Sequence, residues 1–324
     1  MGIKHAAAMR TADAPPSHPA TTRSSRRPAA VAVAIALAAY GGALAVLSRA
    51  PGFSLAEPLF LLAVLGIAFP ALAWVLTRPP RGQTARPDPV PSRWRGVLVY
   101  LAVFAVLVLG WGFSAINDAF PVEPVQSVVQ VLVKLATMVV LPLWLFVHWR
   151  RMSPGPFGRR RLWLVFIVMS LAYLALQAVF GRGLSTLSAL DPALATLLWA
   201  VPACLLWQSI EAGLAEEVLF RRVLQEHLSI ATSSHVAAIA WASLLFGLAH
   251  APGLWLRAGH LMEGVAEATP LWAVAYSVVM IAPAGIAFGV LWARTRSLWL
   301  VVPLHGMVDL LPQLAPFIRA WTGA

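Results

Sequence analysis

The sequence predicts an all-α protein, a polytopic transmembrane helix bundle of about eight or nine spans. Of its 324 residues, 60% are hydrophobic and only 11% are charged, whereas ordinary soluble domains have about 25% charged residues. Several apolar stretches are about twenty residues long, which is the length that an α-helix needs to cross a hydrocarbon core of about 30 Å. Basic residues are concentrated in alternate connections between these stretches. These features exclude a soluble globular domain.

The chain is expected to consist of three parts. Residues 1–28 are rich in Ala, Pro, Ser, Thr and Arg, and they contain too few apolar residues to fold, so we expect a disordered basic tail. Residues 29–180 hold N-terminal transmembrane helices to which the sequence assigns no role. Residues 181–318 hold a C-terminal core that carries the informative polar residues. In chain order, the predicted spans are residues 29–48, 57–77, 96–116, 125–147, 162–180, 192–215, 234–250, 270–293 and 297–317.

The formal net charge is +11, and the basic residues that cause it lie largely in the predicted loops. The intervening connections hold almost no basic residues, and this asymmetry follows the positive-inside rule. It predicts a multi-pass protein of the cell (plasma or inner) membrane with a cytoplasmic N-terminus. Nucleic acid is not an expected partner, because no basic stripe alternates with stacking aromatic residues. The basic residues before the first apolar stretch and in the alternate connections are Lys4, Arg10, Arg23, Arg26 and Arg27, then Arg78, Arg81, Arg86, Arg93 and Arg95, then Arg150, Arg151, Arg159, Arg160 and Arg161.

Two isolated residues within apolar stretches carry less information. Cys204 is the single cysteine of the chain, so a disulfide framework and a cysteine-rich metal site are excluded. Lys134 lies well inside the fourth predicted span, where an ionisable residue is costly and suggests a function. No partner cluster for this lysine is evident in the sequence. We therefore favour a structural interpretation, in which Lys134 extends to the interface or pairs with a neighbouring helix.

A polar cluster interrupts the apolar sequence at Glu216, Glu217, Arg221 and Arg222. In a helix with 3.6 residues per turn, Glu217 and Arg221 share a face, whereas Glu216 points about 100° away from Glu217. Glu217 can therefore pair with Arg221 while Glu216 faces a cavity. Taken alone, these residues would suit the solvated cytoplasmic end of a span equally well.

Two histidines favour an active-site cavity within the membrane, in the C-terminal helices. His250 ends the next apolar run and His305 lies inside the last one, and such polar residues on separate helices of one bundle tend to converge on a site. A rise of 1.5 Å per residue places Glu216 and His250 at similar depths, roughly 20 and 24 Å from the cytoplasmic ends of their helices. His305 lies only about 12 Å from its helix end and needs tilt. The helix carrying Glu216 exceeds one straight span, so we expect a break near Pro202.

A carboxylate beside imidazoles suggests peptide hydrolysis. The carboxylate can activate water as a general base, and a second imidazole can stabilise the oxyanion of a tetrahedral intermediate. The sequence contains no His-Glu-x-x-His, Gly-x-Gly-Asp or Gly-x-Ser-x-Gly motif, so three other protease mechanisms lose support. The alternative from another class is a transporter-like or non-enzymatic membrane protein that uses the same cluster as an ion site.

Three motifs in order, each on its own apolar helix, resemble those of the CAAX prenyl protease and bacteriocin-processing family of intramembrane endopeptidases. The resemblance covers roughly residues 181–318, and the first 180 residues match nothing familiar. It implies a protein or peptide substrate in or at the membrane, with the lipid bilayer as the other partner. The motifs are Glu216-Glu217-x-x-x-Arg221, Phe246-x-x-x-His250 and His305-x-x-x-Asp309.

The resemblance also implies a role for each matching residue. Glu216 is the catalytic base that activates water, and His250 helps to hold that water. His305 and the residue at 309 face the developing oxyanion. The supporting residues are Glu217, Arg221 and Phe246, the last packing beside His250.

Asp309 departs from the family pattern, which commonly has asparagine at this position. An ionised aspartate cannot donate a hydrogen bond to an oxyanion. Asp309 could be kept protonated by burial, could orient His305 or could bind a metal. It could also mark a catalytically degenerate binding or immunity protein.

A metal requirement stays open at this point. Glu216, His250 and His305 match the two-histidine, one-carboxylate set of a catalytic zinc site, and they would serve a metal-free glutamate mechanism equally well. The resemblance favours the metal-free mechanism, in which no cofactor is required.

Overall fold

The computed structural model describes residues 26–78, 91–147, 157–257 and 259–323, and within these ranges all regular structure is helical. A short 3₁₀ turn, Gly259–Leu261, lies in the loop before α9. We number the helices in chain order as α1 (Arg26–Leu47), α2 (Ala56–Leu76), α3 (Trp94–Ala119), α4 (Val125–Phe146), α5 (Arg159–Phe180), α6 (Gly183–Leu190), α7 (Leu194–Thr232), α8 (His235–Leu256), α9 (Pro270–Met280), α10 (Ala282–Thr295) and α11 (Leu298–Thr322).

The described helices confirm a polytopic all-α membrane protein. Eight of them are long and apolar enough to cross a membrane, and α9 with α10 makes a ninth span if this pair, bent by 44°, is counted as one. Large apolar side chains cover the outside of the bundle, as in Trp299 (93% exposed) and Trp144 (75% exposed). A bilayer stabilises such a surface, whereas water does not.

Several predicted features fall outside the described residues. These are residues 1–25 of the predicted tail, with Lys4, Arg10 and Arg23, and the loop residues Arg81, Arg86, Arg150 and Arg151. The predicted tail boundary at residue 28 is wrong by three residues, because α1 begins at Arg26. Pro28 does not prevent this, since proline is tolerated in the first turn of a helix.

The helix α7 differs most from its prediction. It spans 39 residues, whereas the predicted span ended at residue 215. It continues through Pro202 without a break and takes π-helical geometry at Ser209–Leu214 and again at Glu217–Gln225. The expected break at Pro202 is therefore wrong. A proline within a membrane helix is tolerated where local π adjustments and neighbouring helices satisfy the freed backbone groups.

Small residues let α7 and α11 cross closely. A Cβ atom added to Gly213 would lie 3.3 Å from the carbonyl carbon of Val302, and one added to Gly306 would lie 2.9 Å from the backbone nitrogen of Ser209. Glycine at such positions brings two membrane helices into backbone contact. This crossing holds the segment around Glu216 against the segment around His305.

The apolar core includes residues from both predicted parts of the chain. In one buried cluster, Phe69 and Tyr173 from the first part pack with Phe288 and Leu300 from the second. The helices before residue 181 therefore support the helices that carry the polar cluster. The boundary between the two predicted parts stays a prediction.

Candidate active site

The structure brings Glu216, His250 and His305 together from α7, α8 and α11. The carboxylate of Glu216 lies between the two imidazoles, with Oε1 3.9 Å from Nε2 of His250 and Oε2 3.6 Å from Nε2 of His305. Oδ2 of Asp309 also lies 3.6 Å from the same His305 nitrogen. The predicted convergence of these side chains is confirmed.

The two neighbouring glutamates have different environments. Glu217 is fully buried and its Oε2 accepts a hydrogen bond from Nε of Arg221 at 3.1 Å, while Glu216 keeps 15% of its side chain exposed. Arg221 is also fully buried, and its guanidinium carbon lies 5.1 Å from the ring centre of Phe246. A cation over an aromatic face is stabilised electrostatically. This is the predicted arrangement, in which Glu217 pairs with Arg221 and Glu216 stays free.

Hydrogen bonds at Nδ1 orient both histidines. Nδ1 of His250 lies 2.9 Å from the carbonyl oxygen of Phe246, and Nδ1 of His305 lies 2.9 Å from Oε1 of Glu217. Carbonyl and carboxylate oxygens only accept hydrogen bonds, so each Nδ1 carries the proton and donates it. We assign these tautomers from the acceptors. Both Nε2 atoms are therefore directed towards Glu216.

Aromatic rings pack around the two imidazoles. The ring centre of Phe246 lies 5.0 Å from that of His250, as predicted, and 6.3 Å from that of His305. Phe288 stacks on His305 with a centroid distance of 5.0 Å. These apolar rings limit the access of water to the buried side of the site, while His250 (33%) and Asp309 (29%) stay partly exposed on the other side.

His305 fits the site better than the depth estimate suggested. That estimate placed it nearer the end of its helix and required tilt, yet its Nε2 lies closer to Glu216 than that of His250 does. The close crossing at Gly213 and Gly306 explains the difference, because His305 directly precedes the glycine at the contact.

Sequence reasoning missed Glu211, which is the partner of Lys134. Nζ of Lys134 lies 2.7 Å from Oε1 of Glu211, and the two side chains are 18% and 24% exposed. α-Helical spacing places Glu211 about 140° around the helix from Glu216. The π-helical turns of Ser209–Leu214 close over five residues instead of four, which brings residues five apart towards the same side. Glu211 is the one acidic residue of the predicted sixth span, residues 192–215, and this was the available signal.

The residues present do not fit a metal site. Within the described ranges, no group of three or more His, Cys, Asp or Glu side chains could hold a metal ion. Glu216, His250 and His305, the set that the sequence offered, do not form such a group.

These features define a class of protein, namely multi-pass membrane proteins with a carboxylate–imidazole site among their helices, a class that includes intramembrane proteases. Residues 197–311 match the family model described as type II CAAX prenyl endopeptidase Rce1-like. This match includes all three motifs and confirms the resemblance to the CAAX protease family over that part of the chain. No curated protein and no solved structure matches the chain.

Proposed function

We propose that this protein is an intramembrane endopeptidase that hydrolyses a peptide bond of a membrane-associated protein or peptide with water activated by Glu216. The position of Glu216 carries the proposal, because it is partly exposed and lies within 4 Å of Nε2 of both His250 and His305. Its neighbour Glu217 is fully buried and already paired, so it is not free to act on a substrate. The family match supports a protease of this type.

The reaction begins with a water molecule between Glu216 and His250. Glu216 accepts one proton of the water as its oxygen attacks the substrate carbonyl, and Nε2 of His250 accepts a hydrogen bond from the other O–H. The carbonyl oxygen becomes an oxyanion. Glu216 then transfers its proton to the leaving nitrogen as the C–N bond breaks, which completes the hydrolysis.

The oxyanion is stabilised from α11. His305 in its imidazolium form donates from Nε2, while Nδ1 stays bound to Glu217. Asp309 lies beside the same Nε2, and in its protonated form it supplies a second donor. We do not assign Asp309 an orienting role, because Glu217 already orients His305 through a 2.9 Å hydrogen bond.

Cleavage of a quenched peptide library by the purified protein in detergent tests the proposal. The library includes the same peptides with and without a prenylated cysteine. Each peptide is incubated separately with the wild type, with Glu216→Ala and with Glu267→Gln. Glu267 is an exposed carboxylate in the loop before α9, so its variant serves as the matched control. We expect turnover by the wild type and the control and none by Glu216→Ala.

Three other outcomes would contradict the proposal. Equal turnover by the wild type and Glu216→Ala would remove the proposed base. Tight binding of peptides without cleavage by any variant would indicate a degenerate binding protein, for which Asp309 in place of the usual asparagine is the specific sign. Peptide-independent movement of ions in liposomes, lost in Glu216→Ala, would indicate a transporter-like site.

The proposal includes a location in the cell membrane with a cytoplasmic N-terminus, as the loop charges predict. The C-terminal end of α3, which contains the exposed Asp118, then faces the outside. An Asp118→Cys variant should react with a membrane-impermeant maleimide in intact cells, whereas the buried Cys204 of the wild type should not. Labelling only after the cells are broken would reverse this orientation.

A further inference from the structure

We propose that Lys134 is a positioning residue of the active site, which stabilises the negative charge of Glu216, and that Glu211 holds its ammonium group in place. This inference rests on the proposed peptidase function and extends it to the part of the chain outside the Rce1-like match. It assigns a role to α4, which none of the three motifs includes.

The Lys134–Glu211 pair lies about one turn of α7 away from the proposed catalytic carboxylate. Glu211 lies five residues before Glu216 on α7, within the π-helical turns that bring the two towards one side. Lys134 lies on α4 directly before another π-helical stretch, Leu135–Val140. All three side chains are partly exposed, at 18%, 24% and 15% for Lys134, Glu211 and Glu216.

The charges around this lysine explain what it does. Three carboxylates act on Lys134 electrostatically, those of Glu211, Glu216 and Asp309. Carboxylates close together disfavour one another's ionised form, and the repulsion is stronger in a membrane interior than in water. The ammonium group opposes this repulsion. It has three donors, and Glu211 accepts one of them.

A purely structural ion pair accounts less well for this arrangement. Replacing a buried ion pair by apolar residues of similar size is often neutral or stabilising, so the stability of the bundle does not require one here. Glu217 has its own cation, Arg221, one turn along α7. Lys134 instead contacts Glu211, and the carboxylates of Glu216 and Asp309, which the proposed reaction uses, also act on it electrostatically.

Steady-state kinetics on four variants separate the two roles. Lys134→Met should lower kcat about tenfold or more with a smaller change in KM, because Glu216 loses its nearby cation. Lys134→Arg should retain most of the activity. Glu211→Gln should lower kcat less than Lys134→Met does, since glutamine still accepts a hydrogen bond from the lysine. The kcat of the double variant Lys134→Met/Glu211→Gln should stay as low as that of Lys134→Met.

Recovery of the double variant to wild-type kcat would overturn the inference, because it would show that Lys134 only neutralises Glu211. Failure of Lys134→Arg to retain activity, in a variant that melts like the wild type, would also overturn it. Glu267→Gln is the control for purification and detergent effects.

A second measurement does not depend on activity. Thermal unfolding of the wild type, Lys134→Met, Glu216→Gln and their double variant forms a double-mutant cycle. Lys134→Met changes the Tm of the wild type by some amount, and we expect its effect on the Tm of Glu216→Gln to differ from that amount by about 2 °C or more. Additive shifts would overturn the inference. Absence of cleavage by the wild type together with a non-additive cycle would instead refute the peptidase proposal and leave the electrostatic link in place.

Discussion

Replacing each of the two neighbouring glutamates by glutamine should separate stability from catalysis. Glu217 is fully buried and bound to both Arg221 (3.1 Å) and His305 (2.9 Å). Glu217→Gln leaves Arg221 buried without its opposing charge, and breaking a buried pair in this way costs about 3–5 kcal/mol. Glu216 is partly exposed and its closest approach to an imidazole, 3.6 Å, is longer than a hydrogen bond. Glu216→Gln should therefore cost at most about 1 kcal/mol.

The protein contains its own reporter for this experiment. Cys204 is the one cysteine of the chain and its side chain is fully buried, so a thiol-reactive fluorescent dye reacts with it only on unfolding. A change of 1 kcal/mol shifts the Tm of a chain of this size by about 2 °C. The expected decreases are then roughly 6–10 °C for Glu217→Gln and about 2 °C or less for Glu216→Gln.

Activity should follow the opposite order at a temperature where both variants are folded. Glu216→Gln should abolish cleavage, because an amide cannot accept the proton of the water. Glu217→Gln should retain measurable cleavage, since glutamine can still accept a hydrogen bond from His305. Equal decreases in Tm for the two variants would refute the reasoning, as would full activity of folded Glu216→Gln.

Three further predictions concern the same site. Asp309→Asn should keep or raise kcat, because an amide always offers a donor to the oxyanion; a large loss would indicate an orienting or ligand role for Asp309. A divalent-metal chelator should leave peptide cleavage unchanged, and a loss of cleavage that added zinc reverses would contradict the metal-free mechanism. Gly213→Leu should lower both Tm and kcat, because its side chain would force Val302 and His305 away from the helix that carries Glu216; wild-type values of both would show that this crossing does not position the site.

The sequence predicted the number of spans and the convergence of the motifs because both depend on simple spacing. A run of apolar residues reports a membrane span directly. Residues four apart lie on one face of a helix, and this rule was sufficient for the Glu217–Arg221 pair and for the placement of Phe246 next to His250.

The features that the sequence did not predict depend on departures from regular α-helix and on contacts between helices. The predicted sixth span ended at residue 215 because the charged residues that follow depress the local hydropathy, although the helix continues to Thr232. The π-helical turns have no simple sequence signal, so Glu211 was not associated with Glu216. The contact between Lys134 and Glu211 joins residues 77 positions apart, and spacing alone cannot reveal such a pair.

The wide turns at Ser209–Leu214 have a consequence for the comparison of related chains. Removing one residue from this stretch would leave a helix of nearly the same length and the same apolar character. The stretch would then close as ordinary α-helix, and the two acids, now four residues apart, would lie about 40° from one another and still share one face. A homologue without the π-helical turns therefore needs a spacing of four residues, not five, to keep the lysine's partner beside the active site. The spacing between these two acids, compared together with the helix type, is therefore as informative about the site as the motifs themselves.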